Sequence, residues 1–239
     1  MKSGWSVVSY QLFTKMSESL SKVRTAFPQF SSEIWEKIEA MAALHREWNA
    51  KINLVSRKDI DNLEWHHYAP CLAAGTFLSL MTGARVIDVG TGGGFPGLLL
   101  AVLYPQAQFT LMDSIAKKIL VVSDITEKLA LKNVETRVGR VEKLGKHFDF
   151  VTGRAVTNLP AFFGLVKKLI SPGKKHSLAN GILYWKGGEL APESDALGVA
   201  PAKTVELESM LADEYFAGKY ILHYPYPDVF RARVTPPPQ

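Results

Sequence analysis

Apolar residues recur at helical spacing in the first third of the chain and at strand spacing beyond it. Ile34, Ile38, Met41 and Trp48 fall four, three and seven positions apart, on one helical face. Ser31 or Ser32 stands ahead of them as a cap, so a helix is expected from there to about Lys51. A second is expected over about 62–81. From Arg85 the pattern changes. Short apolar runs at 85–89, 109–113, 134–138, 148–152 and 181–185 alternate with helical stretches at about 97–104, 115–131 and 159–170. That alternation predicts a parallel sheet covered on both faces, with right-handed crossovers. Two later runs, near 204–207 and 219–224, are expected to form an antiparallel pair at the sheet edge. The fold class is therefore α/β, a doubly wound Rossmann-like sheet with an N-terminal helical cap. In such sheets ligands sit beyond the carboxyl ends of the strands, where the strand order reverses. The residues just after each strand are the candidates for chemistry.

Composition narrows the class. The 239 residues suit one α/β domain with small additions. Hydrophobic residues at 47% and charged residues at 21% exclude wholesale disorder. No apolar run reaches the length of a membrane span, so no membrane partner is expected. A net charge of +5 fits either a lysine-rich solvated surface or an anionic partner such as RNA. Lys167, Lys168, Lys174 and Lys175, with His176, are candidates to follow an RNA backbone. The single cysteine, Cys71, excludes an intrachain disulfide and a four-cysteine zinc site, and no metal is expected. It also fits a reducing compartment.

The ends read differently from the middle. Residues 1–27 carry Lys2, Lys15, Lys22 and Arg24 against Glu18, among many serines. They are expected to be an extension. Either Met16 is the natural start, which implies the cytoplasm, or the segment is a transit peptide, which implies an organelle. Residues 28–228 are expected as a single domain with the helical cap at about 31–81. Residues 229–239 read as a basic tail, because three consecutive prolines cannot continue a helix or a ladder.

The loop after the first strand holds the strongest signal. Asp88-Val89-Gly90-Thr91-Gly92-Gly93-Gly94 ends a buried strand in a glycine turn. Gly90, Gly92 and Gly94 let the backbone turn sharply and approach a ligand without a Cβ between. Asp88 can organise the loop or receive a ligand's ammonium. Gly92, Gly94 and Gly97 also satisfy the dinucleotide fingerprint G-x-G-x-x-G, so a nicotinamide enzyme competes. Against it stand the D-x-G-x-G spacing typical of methyltransferases and Phe95-Pro96, which crowds the helix start where a pyrophosphate would rest. Asp113-Ser114, at the end of the second strand, can hold ribose hydroxyls in either kind of site. Gly139-Arg140-Val141-Glu142 follows the third strand and can flank an adenine. Arg154 follows the fourth. It cannot accept a proton near neutral pH, which suits positioning rather than deprotonation.

Taken together, Trp48-Asn49-Ala50-Lys51-Ile52-Asn53-Leu54, the loop 88–97, Asp113-Ser114 with Lys117-Lys118, and Gly153-Arg154-Ala155 resemble the RsmG (GidB) family of bacterial small-subunit ribosomal RNA guanine-N7 methyltransferases. The resemblance runs from about Phe27 to Tyr224. It implies S-adenosylmethionine as cofactor, held by Gly90, Phe95, Val141, Glu142 and Arg154, with Asp113 and Ser114 on its ribose side. It places His67 and Lys186 on the RNA side of the pocket beside Arg154. Where the family often has Asp or His followed by Ser, this chain has Pro70-Cys71. The implied partner is small-subunit ribosomal RNA or a ribosomal particle, and the implied enzyme is a cytoplasmic monomer. Guanine N7 carries no proton, so the reaction needs alignment and electrostatics rather than a base. An NAD(P)-dependent dehydrogenase and a non-catalytic RNA-binding module are the alternative classes.

Overall fold

A computed structural model describes residues 17–145 and 147–234. Seven strands form one sheet: β1 (Arg85–Val89), β2 (Gln108–Asp113), β3 (Val134–Val138), β4 (Phe150–Arg154), β5 (Gly181–Gly187), β6 (Lys203–Glu206) and β7 (Lys219–Pro225). Their spatial order is β3-β2-β1-β4-β5-β7-β6. The first five are parallel, and β7 runs antiparallel to both β5 and β6. The expected doubly wound sheet and its antiparallel edge are both present. The order reverses between β1 and β4, which opens the ligand crevice at their carboxyl ends.

Helices cover both faces. They are α1 (Glu18–Ala26), α2 (Ser32–Asn49), α3 (Ala69–Leu72), α4 (Gly97–Leu103), α5 (Ala116–Lys128), α6 (Leu159–Val166), α7 (Ala191–Leu197), α8 (Leu207–Leu211) and α9 (Tyr226–Arg231). Ser31 caps α2 as expected, its hydroxyl accepting from the Ile34 N–H. Among the described residues no helix is long and apolar enough to cross a membrane. One core lies between the cap and the sheet, and a second lies on the opposite face under α6 and α9.

The cap departs from expectation where proline intervenes. The helix expected over 62–81 is instead a chain of short turns: Ile60–Asn62, a π-turn at Glu64–Tyr68, α3, and Ala73–Thr76. Pro70 has no N–H to give to the preceding turn, so the α-ladder cannot run through it. Gly75 closes the last turn against Phe30, whose ring would lie 2.9 Å from an added Cβ.

Both expected terminal boundaries move. The extension expected at 1–27 lies outside the described residues as far as residue 16. From Ser17 onward the chain belongs to the cap: Leu20, Val23 and Phe27 are buried, and the Ser19 hydroxyl accepts from the Trp65 N–H at 2.9 Å. At the other end, the tail expected at 229–239 starts inside α9. Val229 and Ala232 are buried, and the Arg233 N–H bonds the Leu197 carbonyl. Residues 235–239 of that tail lie outside the described residues.

Candidate cofactor and acceptor site

The glycine loop is stitched by two carboxylates. Asp88 is fully buried; one oxygen accepts from the Gly97 N–H at 3.1 Å and the other from the Thr152 hydroxyl at 2.8 Å. It organises the loop and does not face the crevice. Burial pushes its pKa up to about 6, against the pull of Thr152 and the Gly97 N–H. Asp113, at the end of β2, accepts from the Gly92 N–H at 3.0 Å and the Ile115 N–H at 2.9 Å. Gly90, Gly92 and Gly94 have φ of +69°, +58° and +95°, a region closed to most side chains. At Gly90 a Cβ would also stand 2.9 Å from Val156, which follows β4.

Beyond these strand ends lies a cleft of about 370 Å³, lined by Gly90, Asp113, Ser114, Val141 and Glu142 together with apolar Met112, Val156 and Leu165. Its shape and donors suit a nucleoside: a carboxylate and a hydroxyl at one wall for ribose, and aliphatic walls with Glu142 for a base. These residues, expected from separate strand ends, line one cleft. Phe95 sits apart from the cleft, buried under the cap with its ring 4.9 Å from that of His45.

Arg154 and His67 meet on the cap side of the sheet. One guanidinium N–H of Arg154 donates to the His67 carbonyl and another to His67 Nδ1, both at 3.1 Å. Arginine only donates, so Nδ1 is the acceptor and the imidazole proton sits on Nε2. From there it donates to Asp59 at 2.6 Å. The second oxygen of Asp59 takes His66 Nδ1. Asp59 thus fixes the ring that fixes the arginine. Cys71 gives its thiol to the same His67 carbonyl, and the Pro70 carbonyl accepts from the Trp185 indole at 2.7 Å. The Pro70-Cys71 pair is therefore built into the packing under Arg154.

Lys186 lies elsewhere. Side chains alternate along β5, so Trp185 faces the cap and Lys186 the opposite side. There its ammonium pairs with Glu193 of α7 at 3.1 Å. The structure does not bring it together with Arg154 and His67. The lysine stretch 167–175 is also remote, because residues 170–181 turn at the amino ends of β4 and β5. His176 is buried there and accepts from the Met81 N–H.

Sequence reasoning missed His45. Its side chain bridges α2 to the loop: Nε2 lies 2.7 Å from the Gly93 carbonyl, and Nδ1 lies 2.5 Å from the Tyr68 hydroxyl. A carbonyl only accepts, so Nε2 donates to Gly93 and Tyr68 donates to Nδ1. The available signal was helical spacing, since His45 follows Met41 by four and so falls on the apolar face. Trp48 and Asn49 also have structural duties. The Trp48 indole donates to Asp124 of α5, and the Asn49 side chain accepts from the Leu54 and Val55 N–H groups.

Burial holds both His45 and His67 down to about 4; at His67 the charge of Arg154 adds to it, against the pull of Asp59. The unfolded chain protonates both near their ordinary value, while the native state refuses both protons until about pH 4. Stability is therefore lost as pH falls from about 6.5 toward 4. Asp88 works the other way, taking a native-state proton near pH 6 and offsetting part of the loss. Urea unfolding should show a net loss of about 2 kcal/mol between pH 7 and pH 5. A stability that rises on acidification would mean the histidines are not held neutral.

The chain matches the family described as GidB, rRNA small subunit methyltransferase G, over residues 34–206. The ribosomal RNA small subunit methyltransferase G of Flavobacterium psychrophilum is 42% identical over 206 residues, covering 86% of this chain and 98% of that protein. Its namesake in Porphyromonas gingivalis is 43% identical over 204 residues, covering 83% of this chain and 90% of the other.

Proposed function

Since the chain belongs to the GidB family, rRNA small subunit methyltransferase G, we propose that it transfers the methyl group of S-adenosylmethionine to guanine N7 in small-subunit ribosomal RNA, acting as a cytoplasmic monomer. The observation that carries this reading is how the loop is satisfied. The N–H that opens α4 is already taken by Asp88, and Pro96 precedes it. A pyrophosphate would need that helix end free. The nucleoside cleft beside the glycine turn would serve either cofactor, so it is the occupied helix end that argues against the dehydrogenase.

When bound, S-adenosylmethionine supplies an electrophilic methyl on a sulfonium. Asp113 and Ser114 would hold its ribose, and Val141, Glu142, Met112 and Leu165 would enclose its adenine. The acceptor side is the cap side, where Arg154 has guanidinium N–H groups left over after binding His67. These can grip the guanine edge or a phosphate oxygen. No side chain there need take a proton, because N7 has a lone pair and no hydrogen. His67 is unsuited to do so, with one ring nitrogen accepting from Arg154 and the other donating to Asp59. The groups that define the site hold and orient, which matches a reaction driven by alignment.

Calorimetric titration tests the cofactor assignment. S-adenosylmethionine should bind and NAD should not; binding of NAD alone would restore the dehydrogenase, and binding of neither would favour the RNA-binding module. Asp88→Ala strands the Gly97 N–H, leaves the Thr152 hydroxyl with only the Ile87 carbonyl, and frees the loop. It should weaken S-adenosylmethionine binding about tenfold or more. An unchanged affinity would mean the loop does not depend on that carboxylate.

A further inference from the structure

Lys219, at the start of β7, lies directly across from Gly187 at the end of β5. Arg154 pairs with Trp185 one strand further in, and Trp185 shares the cap-facing side of β5 with Gly187. Lys219, Gly187 and Arg154 therefore point to one face. Gly187 leaves a notch there: a Cβ built on it would meet nothing within 4 Å. Tyr215 forms the outer wall, stacked on His66 at 3.5 Å between ring centroids, with the Lys219 ammonium 3.3 Å from its ring centroid and bonded to its carbonyl.

The charges around this notch do not balance. Among the described residues no carboxylate lies within ion-pair distance of either Arg154 or Lys219. The nearby acids are engaged: Asp59 holds His66 and His67, and Asp213 holds Lys22 and the Trp65 indole. Burial, then the Arg154 guanidinium, hold Lys219 below its ordinary range. Two cations facing one open space, against an aromatic wall, form a receptor for an anionic oxygen pair.

We propose that the notch over Gly187, between Arg154 and Lys219, takes a phosphodiester of the RNA strand that carries the acceptor guanine. This rests on the ribosomal RNA reading above. The same chemistry would suit the carboxylate of the cofactor, and the test separates the two. A phosphate seated here would fix the strand beside Arg154, so that Lys219 sets the register of the acceptor without touching the reacting atoms.

Binding of a small-subunit RNA fragment, followed by fluorescence anisotropy over a range of salt, reads the notch directly. Lys219→Met should weaken RNA binding about tenfold and lower the salt slope by about one. Lys219→Arg should keep binding within about threefold of wild type, since the charge remains. Gly187→Asp places a carboxylate between the two cations in open space, and should abolish the Lys219-dependent part of RNA binding with the melting temperature kept. S-adenosylmethionine affinity, measured by calorimetry, should be unchanged in all three. Wild-type RNA affinity and salt slope in Lys219→Met and Gly187→Asp would overturn the proposal. So would a loss of cofactor affinity with RNA binding intact, which would give the notch to the cofactor carboxylate. A wild-type protein that methylates small-subunit RNA while these variants bind it normally defeats the notch alone. A wild type that binds RNA through Lys219 but transfers no methyl defeats the functional reading and keeps the notch.

Discussion

Arg154→Ala is expected to cut methyl transfer to small-subunit RNA by about 100-fold or more while the protein stays folded. The side chain ends β4 at the reversal of the sheet, where acceptor and cofactor would meet. Its guanidinium is held from behind by the His67 carbonyl and Nδ1, and His67 is held by Asp59. The fork is thus fixed in direction before substrate arrives, which is the condition under which a donor contributes most. Arg154→Lys should recover little, because a single ammonium cannot hold His67 at two points and still reach forward. Arg154 is only half-buried and makes no carboxylate pair, so its loss removes little packing. Single-turnover transfer of a labelled methyl, alongside thermal melting, checks both parts. Near-wild-type transfer by the alanine variant would remove Arg154 from the site.

Arg46→Ala should produce the largest loss of stability, about 3–5 kcal/mol. Glu64 is completely buried in the π-turn of the cap, and Arg46 of α2 binds both of its oxygens, at 2.5 and 2.7 Å. The Ser17 hydroxyl adds a third contact at 3.3 Å. Without the guanidinium, a carboxylate would stay buried beside one weak donor. A shift of about 10 °C or more in melting temperature is expected for a chain of this size. Replacing both partners, Arg46→Met with Glu64→Leu, should restore most of it, since the cost lies in the stranded charge. If Arg46→Ala melts like wild type, or the double variant is no better than the single, the pair does not hold the cap.

Strand–helix alternation made the sheet legible, with β1 and β3 at the expected residues. β4 was placed two residues early because periodicity reports apolar residues, not hydrogen bonds. The Phe148 N–H goes to the Leu169 carbonyl and its carbonyl to the Ser171 N–H, so the ladder with β1 begins only near Phe150. The cap was less legible. A proline and a glycine divide 62–81 into turns whose geometry depends on what they pack against. In the candidate site, the strand-end rule named Gly90, Asp113, Ser114, Val141 and Glu142, which the fold gathers along one cleft. The family resemblance placed Lys186 beside Arg154, but the alternation of β5 turns it to the far face, where it pairs with Glu193. His45 carried no motif; its role exists only because the fold brings Gly93 and Tyr68 to its two nitrogens.

The most direct test is methyl transfer from labelled S-adenosylmethionine to small-subunit ribosomal RNA taken from a strain lacking its own enzyme of this family, followed by mapping of the modified base. The expected result is one labelled guanine whose methyl sits on N7, shown by strand scission after reduction and aniline treatment. Label on an exocyclic amine or a ribose hydroxyl, or no label while the protein binds cofactor and RNA, would contradict it.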